Sequence, residues 1–214
     1  MAYNYVFKTI VVGETAVGKS SLCQRFCYDT CPQKYEQTIG IDFCSKIVQI
    51  DNQNIKVQFW DCAGCPTFRS VTKSYYRNAA IAFFVYDCSV KDSFKALEDW
   101  IREVKLYCDA NVVMVLVHNK SDIASESQQI SPDVAKQFAS SHNMLFFETS
   151  SRLGWGVHEC FMTSISHLYH KISAGGAVPD KGIRRTSPDE RTLSISYDQS
   201  QNQSRLCGSW CAVM

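Results

Sequence analysis

Two hydrophobic periods alternate along the first 172 residues. Residues 5–12, 81–86 and 112–117 are near-continuous runs of aliphatic and aromatic residues, the pattern of strands buried on both faces. Residues 41–50 and 56–60 read as two further strands around Asp51-Asn52-Gln53-Asn54, a turn signal. Residues 144–147 form a last short strand. Between these runs, 20–27, 72–78, 91–108, 131–141 and 156–172 read as helices. In 91–108 the helical period runs through Phe94, Leu97, Ile101, Val104 and Leu106, and Ser131-Pro132-Asp133 is an N-cap followed by proline at the first helical position. Residues 28–40 and 61–71 are mixed in polarity and read as exposed loops. The alternation predicts an α/β fold: a six-stranded, mostly parallel sheet flanked by helices, with its ligand beyond the carboxyl ends of the strands.

After residue 172 the pattern stops. Residues 173–206 are rich in Ser, Gly, Gln, Asn and Arg, and bury too little apolar surface to offset their ordering entropy. The expectation is a folded domain over 1–172 and a flexible tail over 173–214.

Composition narrows the classes. A 45% hydrophobic content supports a substantial core, and a net charge of +1 gives no argument for a nucleic-acid partner. No run is apolar for the length of a membrane span, and the first residues lack a signal-peptide pattern. Eleven cysteines, an odd number scattered over strands and helices, point to reduced thiols in the cytosol, most of them filling core space.

The chemistry begins at Gly13-Glu14-Thr15-Ala16-Val17-Gly18-Lys19-Ser20, with Ser21 following. It joins a strand to a helix, as a phosphate-binding loop requires. Glycines let the backbone curl so that N–H groups face phosphate oxygens, and the helix adds its positive end. Lys19 supplies a charge and Ser20 a hydroxyl for Mg²⁺. Asp61-Cys62-Ala63-Gly64 ends a strand, where Asp61 serves the same ion and Gly64 offers an N–H to a γ-phosphate. Thr38, in the first loop, could add a second hydroxyl to the ion; taken alone it reads rather as a solvent-facing loop residue. Asn119-Lys120-Ser121-Asp122 follows a central strand. A carboxylate at Asp122 accepts from two guanine donors that adenine lacks. Ser150, Ser151 and Arg152 end the last strand and can present backbone N–H groups to the guanine carbonyl.

Together these motifs resemble the small GTPases of the Ras superfamily, and within it the Rab family. Thr38-Ile39-Gly40-Ile41-Asp42-Phe43, Trp60-Asp61-Cys62-Ala63-Gly64 and Ser74-Tyr75-Tyr76-Arg77 carry the likeness, and residues 1–8 look most like Rabs of the Golgi and early-endosome branch. The resemblance implies the P-loop NTPase fold of small GTPases, GTP and GDP as ligands with Mg²⁺, and a further nucleotide contact at Tyr35. It implies a monomeric switch in vesicle trafficking on the cytoplasmic face of endomembranes, with a cytosolic pool. Its partners are an exchange factor, a GTPase-activating protein, a GDP-dissociation inhibitor or escort protein, and effectors that read an aromatic triad, Phe43, Trp60 and Tyr75.

The chain departs from that pattern at several places. Cys65 stands where the family has the glutamine that orients the attacking water, so intrinsic hydrolysis by Lys19, Thr38 and Cys65 is expected to be slow. A nucleotide-bound scaffold with negligible hydrolysis is the alternative. Cys31 replaces an aromatic that lies against the guanine ring, and Ala16 and His118 replace glycines. His118 reads as a packed strand-end residue. Cys62 and Cys65 spell C-x-x-C; a redox latch is one reading, but in a chain with eleven cysteines coincidence is the favoured one. Cys211-Ala212-Val213-Met214 fits a prenylation motif. One lipid anchors weakly, so Cys207 is expected to carry a second.

Overall fold

The computed structural model describes residues 2–186 except 33 and 35. Strands β1 (Tyr5–Val12), β2 (Ile41–Ile50), β3 (Gln53–Cys62), β4 (Ile81–Asp87), β5 (Val113–Asn119) and β6 (Leu145–Thr149) form one sheet in the order β2-β3-β1-β4-β5-β6. Only β2 and β3 among these pair antiparallel; the others run parallel. Helices α1 (Lys19–Tyr28) and α6 (Val157–Ser173) contribute to one core layer. Helices α2 (Arg69–Tyr76), α4 (Leu97–Tyr107) and α5 (Pro132–Ser141) contribute to the other. Alternation along β1 decides the sides: Phe7 and Val11 enter the first layer, Ile10 and Val12 the second.

Phe161 of α6 organises the first layer. Its ring lies 4.6 Å from Phe26, 4.7 Å from Phe83 and 5.2 Å from Phe59, so helix α1 and strands β3 and β4 converge on it. In the second layer Trp100 of α4 is fully buried, and its indole N–H donates to Glu14 Oε1 at 3.0 Å.

Three expectations need correcting. The β2–β3 hairpin turns tightly, because Asp51 and Asn52 both take left-handed φ (47° and 62°) and let β3 begin at Gln53. The single helix expected over 91–108 is two, α3 (Lys91–Lys95) and α4, divided at Ala96. The largest correction lies in the tail. Residues 173–206 were expected to be without structure, yet Ile183–Arg185 form a seventh strand, β7, antiparallel to Tyr5–Phe7 of β1. It sits in line with β4, which pairs with β1 only from Thr9 onward. Gly182 makes this possible. Its φ is 93°, and a Cβ there would lie 2.0 Å from the Asn78 carbonyl oxygen. Gly182 O accepts from Lys8 N at 2.9 Å, Thr186 N donates to Asn4 O at 3.0 Å, and the buried Thr186 hydroxyl donates to Tyr3 O. Apolar periodicity could not reveal a strand of three residues. Among the described residues no helix is long and apolar enough to cross a membrane.

Candidate functional site: a phosphate-binding loop and its two flanking loops

The carboxyl ends of β1, β3, β5 and β6 open onto a cavity of about 1110 Å³. Its floor is the turn from β1 to α1. Gly13 (φ 140°) passes so close to β4 that a Cβ would meet Val85 O at 2.1 Å, and Gly18 (φ 100°) caps α1. Ala16 takes a left-handed φ of 64° without glycine's freedom. Val17 is buried beneath the turn, while Thr15, Ser20 and Ser21 line the cavity. The Lys19 ammonium crosses the loop to donate to Glu14 O at 2.7 Å, and burial pulls its pKa down while the Asp61 charge pulls it up.

The ion-binding residues expected from the sequence come together. Ser20 Oγ and Thr38 Oγ1 are 2.9 Å apart, which brings α1 and the loop before β2 into contact. Asp61 at the end of β3 is 3% exposed, and neither of its carboxylate oxygens has a hydrogen-bond partner. Burial pushes its carboxyl up to about 6. Two hydroxyls and an unpaired buried carboxylate are hard oxygen donors, the set that fits Mg²⁺. Gly64 rests on the loop: a Cβ there would lie 2.4 Å from Glu14 C and Thr15 N, so only glycine permits the approach.

On the base side, Asp122 is held in one orientation. Its Oδ1 accepts from Ser150 Oγ at 2.6 Å, and its Oδ2 accepts from Arg152 Nε at 3.0 Å and Arg152 NH2 at 2.6 Å. Burial would raise this carboxyl; these hydrogen bonds outweigh it and hold the pKa below the usual range. Asn119 works as a tie. Its amide donates to Val17 O at 2.7 Å and accepts from Thr149 Oγ1 and Ser151 N, joining the phosphate loop to β5 and β6. Lys120 pairs with Asp87 at 2.7 Å. Sequence reasoning missed Arg25, whose guanidinium donates to Ser151 O and Arg152 O and clamps the base-side loop to α1. Its signal was weak: one arginine in an ordinary helix.

The departures are also located. Cys65 lines the cavity beside Gly64, with its thiol donating to Thr67 Oγ1 at 3.5 Å; hydrogen bonding with Thr67, then with Gln37, lowers its pKa. Gln37 lines the same cavity and was not singled out in the sequence. Pro66 opens a 3₁₀ turn, Pro66–Phe68. Cys31 lines the cavity, and Tyr28, in the last turn of α1, is 53% exposed. His118 is fully buried and shares a 2.6 Å hydrogen bond with Tyr86, as a packed strand-end residue would. Cys62 and Cys65 are both free. The Cys62 thiol is buried against Trp60 O, whereas Cys65 lies at the cavity lip. Tyr35, Cys207 and Cys211 lie outside the described residues.

Residues 8–170 match the Ras family model. The chain belongs to the Ras family. It is therefore a small GTPase, a switch that binds GTP and GDP with Mg²⁺ and answers to regulators and effectors. In this GTPase, Thr38 lies in the loop before β2, while Gly64, Cys65 and α2 lie in the segment that follows β3. The aromatic triad spans the strands between them. Phe43 and Trp60, register partners on β2 and β3, have ring centroids 5.0 Å apart, and Trp60 and Tyr75 of α2 are 5.3 Å apart.

Proposed function

We propose that this GTPase is a Rab-type switch of vesicle trafficking with slow unassisted hydrolysis. The observation that carries the Rab reading is the continuous run of ring contacts Phe43–Trp60–Tyr75, one edge-to-face and one tilted, which ties β2, β3 and α2 into one surface. A γ-phosphate that pulls Thr38 and Gly64 inward would reset that surface, giving effectors something to read. When bound, Mg²⁺ neutralises phosphate charge. Ser20, Thr38 and Asp61 would hold it, while Lys19 and the loop N–H groups orient the phosphates. Asp122 selects guanine.

Slow turnover follows from Cys65. Its thiol is a weak hydrogen-bonding group with a short reach, engaged with Thr67 at 3.5 Å. The measurement that tests it is single-turnover hydrolysis. Cys65→Gln is expected to raise the rate about tenfold or more without tightening GTP binding, the signature of a contact made in the transition state. Cys65→Gln with Pro66→Glu is expected to do better, because proline constrains the turn. If neither variant exceeds the parent, Cys65 does not limit the site. If a panel of GTPase-activating proteins also leaves hydrolysis undetectable, the scaffold reading replaces this one.

The place of action belongs to the same proposal: the cytoplasmic face of Golgi or early-endosome membranes, held by a lipid on Cys211 with support from Cys207. Cys211→Ser is expected to move the protein to the soluble fraction. Fractionation that leaves it on membranes counts decisively against the anchor.

A further inference from the structure

We infer that Cys27 and Cys44 are an oxidisable dithiol whose disulfide fastens the base of the loop that carries Thr38. Cys27 lies in the last turn of α1 and Cys44 on β2, and their Sγ atoms are 3.2 Å apart. A disulfide needs about 2.05 Å, so roughly 1 Å of approach remains. Cys23, one turn earlier on α1, belongs to the same buried cluster as Cys44. All three are free. Cys44 is buried; Cys27 is half-buried, so a small oxidant reaches the pair from its side.

The position gives the bond a consequence. Everything between the two cysteines is residues 28–43: the loop and the first residues of β2. That loop supplies Cys31, Glu36, Gln37 and Thr38 to the cavity wall. A bond between Cys27 and Cys44 joins the loop's two ends on the side of β2 away from Phe43, because neighbouring strand residues face opposite ways. The loop then opens as a closed ring, with fewer conformations available for nucleotide release. This consequence rests on the switch reading; the dithiol itself does not.

The chemistry balances with hydrogen peroxide as oxidant. One thiolate attacks peroxide, becomes a sulfenic acid and releases water. The second sulfur displaces the hydroxyl as a second water, leaving the disulfide, so two thiols lose two electrons and two protons to one peroxide. Contact with Cys44 and burial raise the Cys27 thiol, while Lys46, bonded to Phe26 O at 2.6 Å, favours its thiolate. Contact with Cys23 raises Cys44. Reaction therefore calls for excess oxidant.

The test uses the full chain, oxidised with excess peroxide or diamide, blocked, and digested with trypsin without reduction. Cleavage after Arg25, Lys34 and Lys46 places Cys23, Cys27 and Cys44 on three peptides. The expected product is peptide 26–34 joined to 35–46, with fragment ions assigning the bond to Cys27 and not to Cys31. Its absence, or a bond from Cys23 or Cys31 to Cys44 in its place, overturns the assignment. In a second arm, oxidation is expected to slow release of fluorescent GDP by about threefold or more, reversibly with dithiothreitol and not in Cys44→Ala. A bond that forms and leaves release unchanged overturns the restraint. Mass alone reads the bond, so a chain that bonds but fails to bind GDP sinks the switch reading and leaves the dithiol standing.

Discussion

At the scale of single residues, the site is a set of charges whose protonation matters. Asp61 holds its proton up to about pH 6 because burial disfavours the carboxylate, and Mg²⁺ needs the carboxylate. Protons and the ion compete, so Mg²⁺ affinity is expected to be steady above pH 7 and to fall as pH drops through 6, by at most about tenfold per unit. Titrating Mg²⁺ against the GDP complex from pH 7.5 to 5 checks this; an affinity flat across that range would show that Asp61 does not ligate. Asp122 makes the complementary case. Its two oxygens are oriented by Ser150 and Arg152, and guanine offers two donors to such an acceptor. Asp122→Asn is expected to shift preference from GTP toward xanthosine triphosphate, and competition in which ATP displaces labelled GDP as well as GTP does would end the guanine reading. These residues were legible in the sequence because each sits at the end of an apolar run, where residue type and position coincide. Arg25, Asn119 as a tie, and Gln37 were not, because their importance arises from which loops the fold brings beside them.

At the scale of elements, legibility followed length and periodicity. Strands β4 and β5 carry long apolar runs, β1 an apolar run interrupted by Lys8 and Thr9, β3 an alternation and β6 a short run from Met144 to Phe147, and each was visible. The break at Ala96 was not, since apolar residues continue at helical spacing through it. The C-x-x-C spacing drew notice to Cys62 and Cys65, which face different surroundings, while Cys27 and Cys44, seventeen positions apart, meet across two elements. Spacing along a chain reports contacts within one element and is blind to those between two. Helix α6 illustrates what such contacts hold. Phe161 is buried against three other rings from α1, β3 and β4, so Phe161→Ala removes the point where they converge. The expected cost is about 3–5 kcal/mol, from lost burial plus the cavity left behind. Urea unfolding reads it: a midpoint unchanged within error would place the organising contacts of that layer elsewhere.

At the scale of the whole molecule, the strand after α6 changes where the folded unit ends. Hydrophobic pattern draws the border at residue 172, yet the residues flanking β7 return to β1 and the residues just before it through Lys8 to Gly182, Thr186 to Asn4 and Thr186 to Tyr3, and Asp180 N donates to Asp109 Oδ2 in the loop after α4. A chain cut after residue 173 would keep every cavity-lining residue described above. It would also leave the outer rim of Tyr5–Phe7 with unpaired N–H and C=O groups. Such a rim is a template: a stray strand from a neighbouring molecule can add to it as β7 does. The shortened protein is therefore expected to bind GDP normally, melt several degrees lower and self-associate on concentration, whereas a cut after residue 186 stays dispersed. Light scattering beside a thermal melt distinguishes them, and identical behaviour of the two lengths would mean the seventh strand seals nothing. If they differ, the first residues of the tail act as a stopper: they close the sheet against its own copies before the rest of the tail meets anything else.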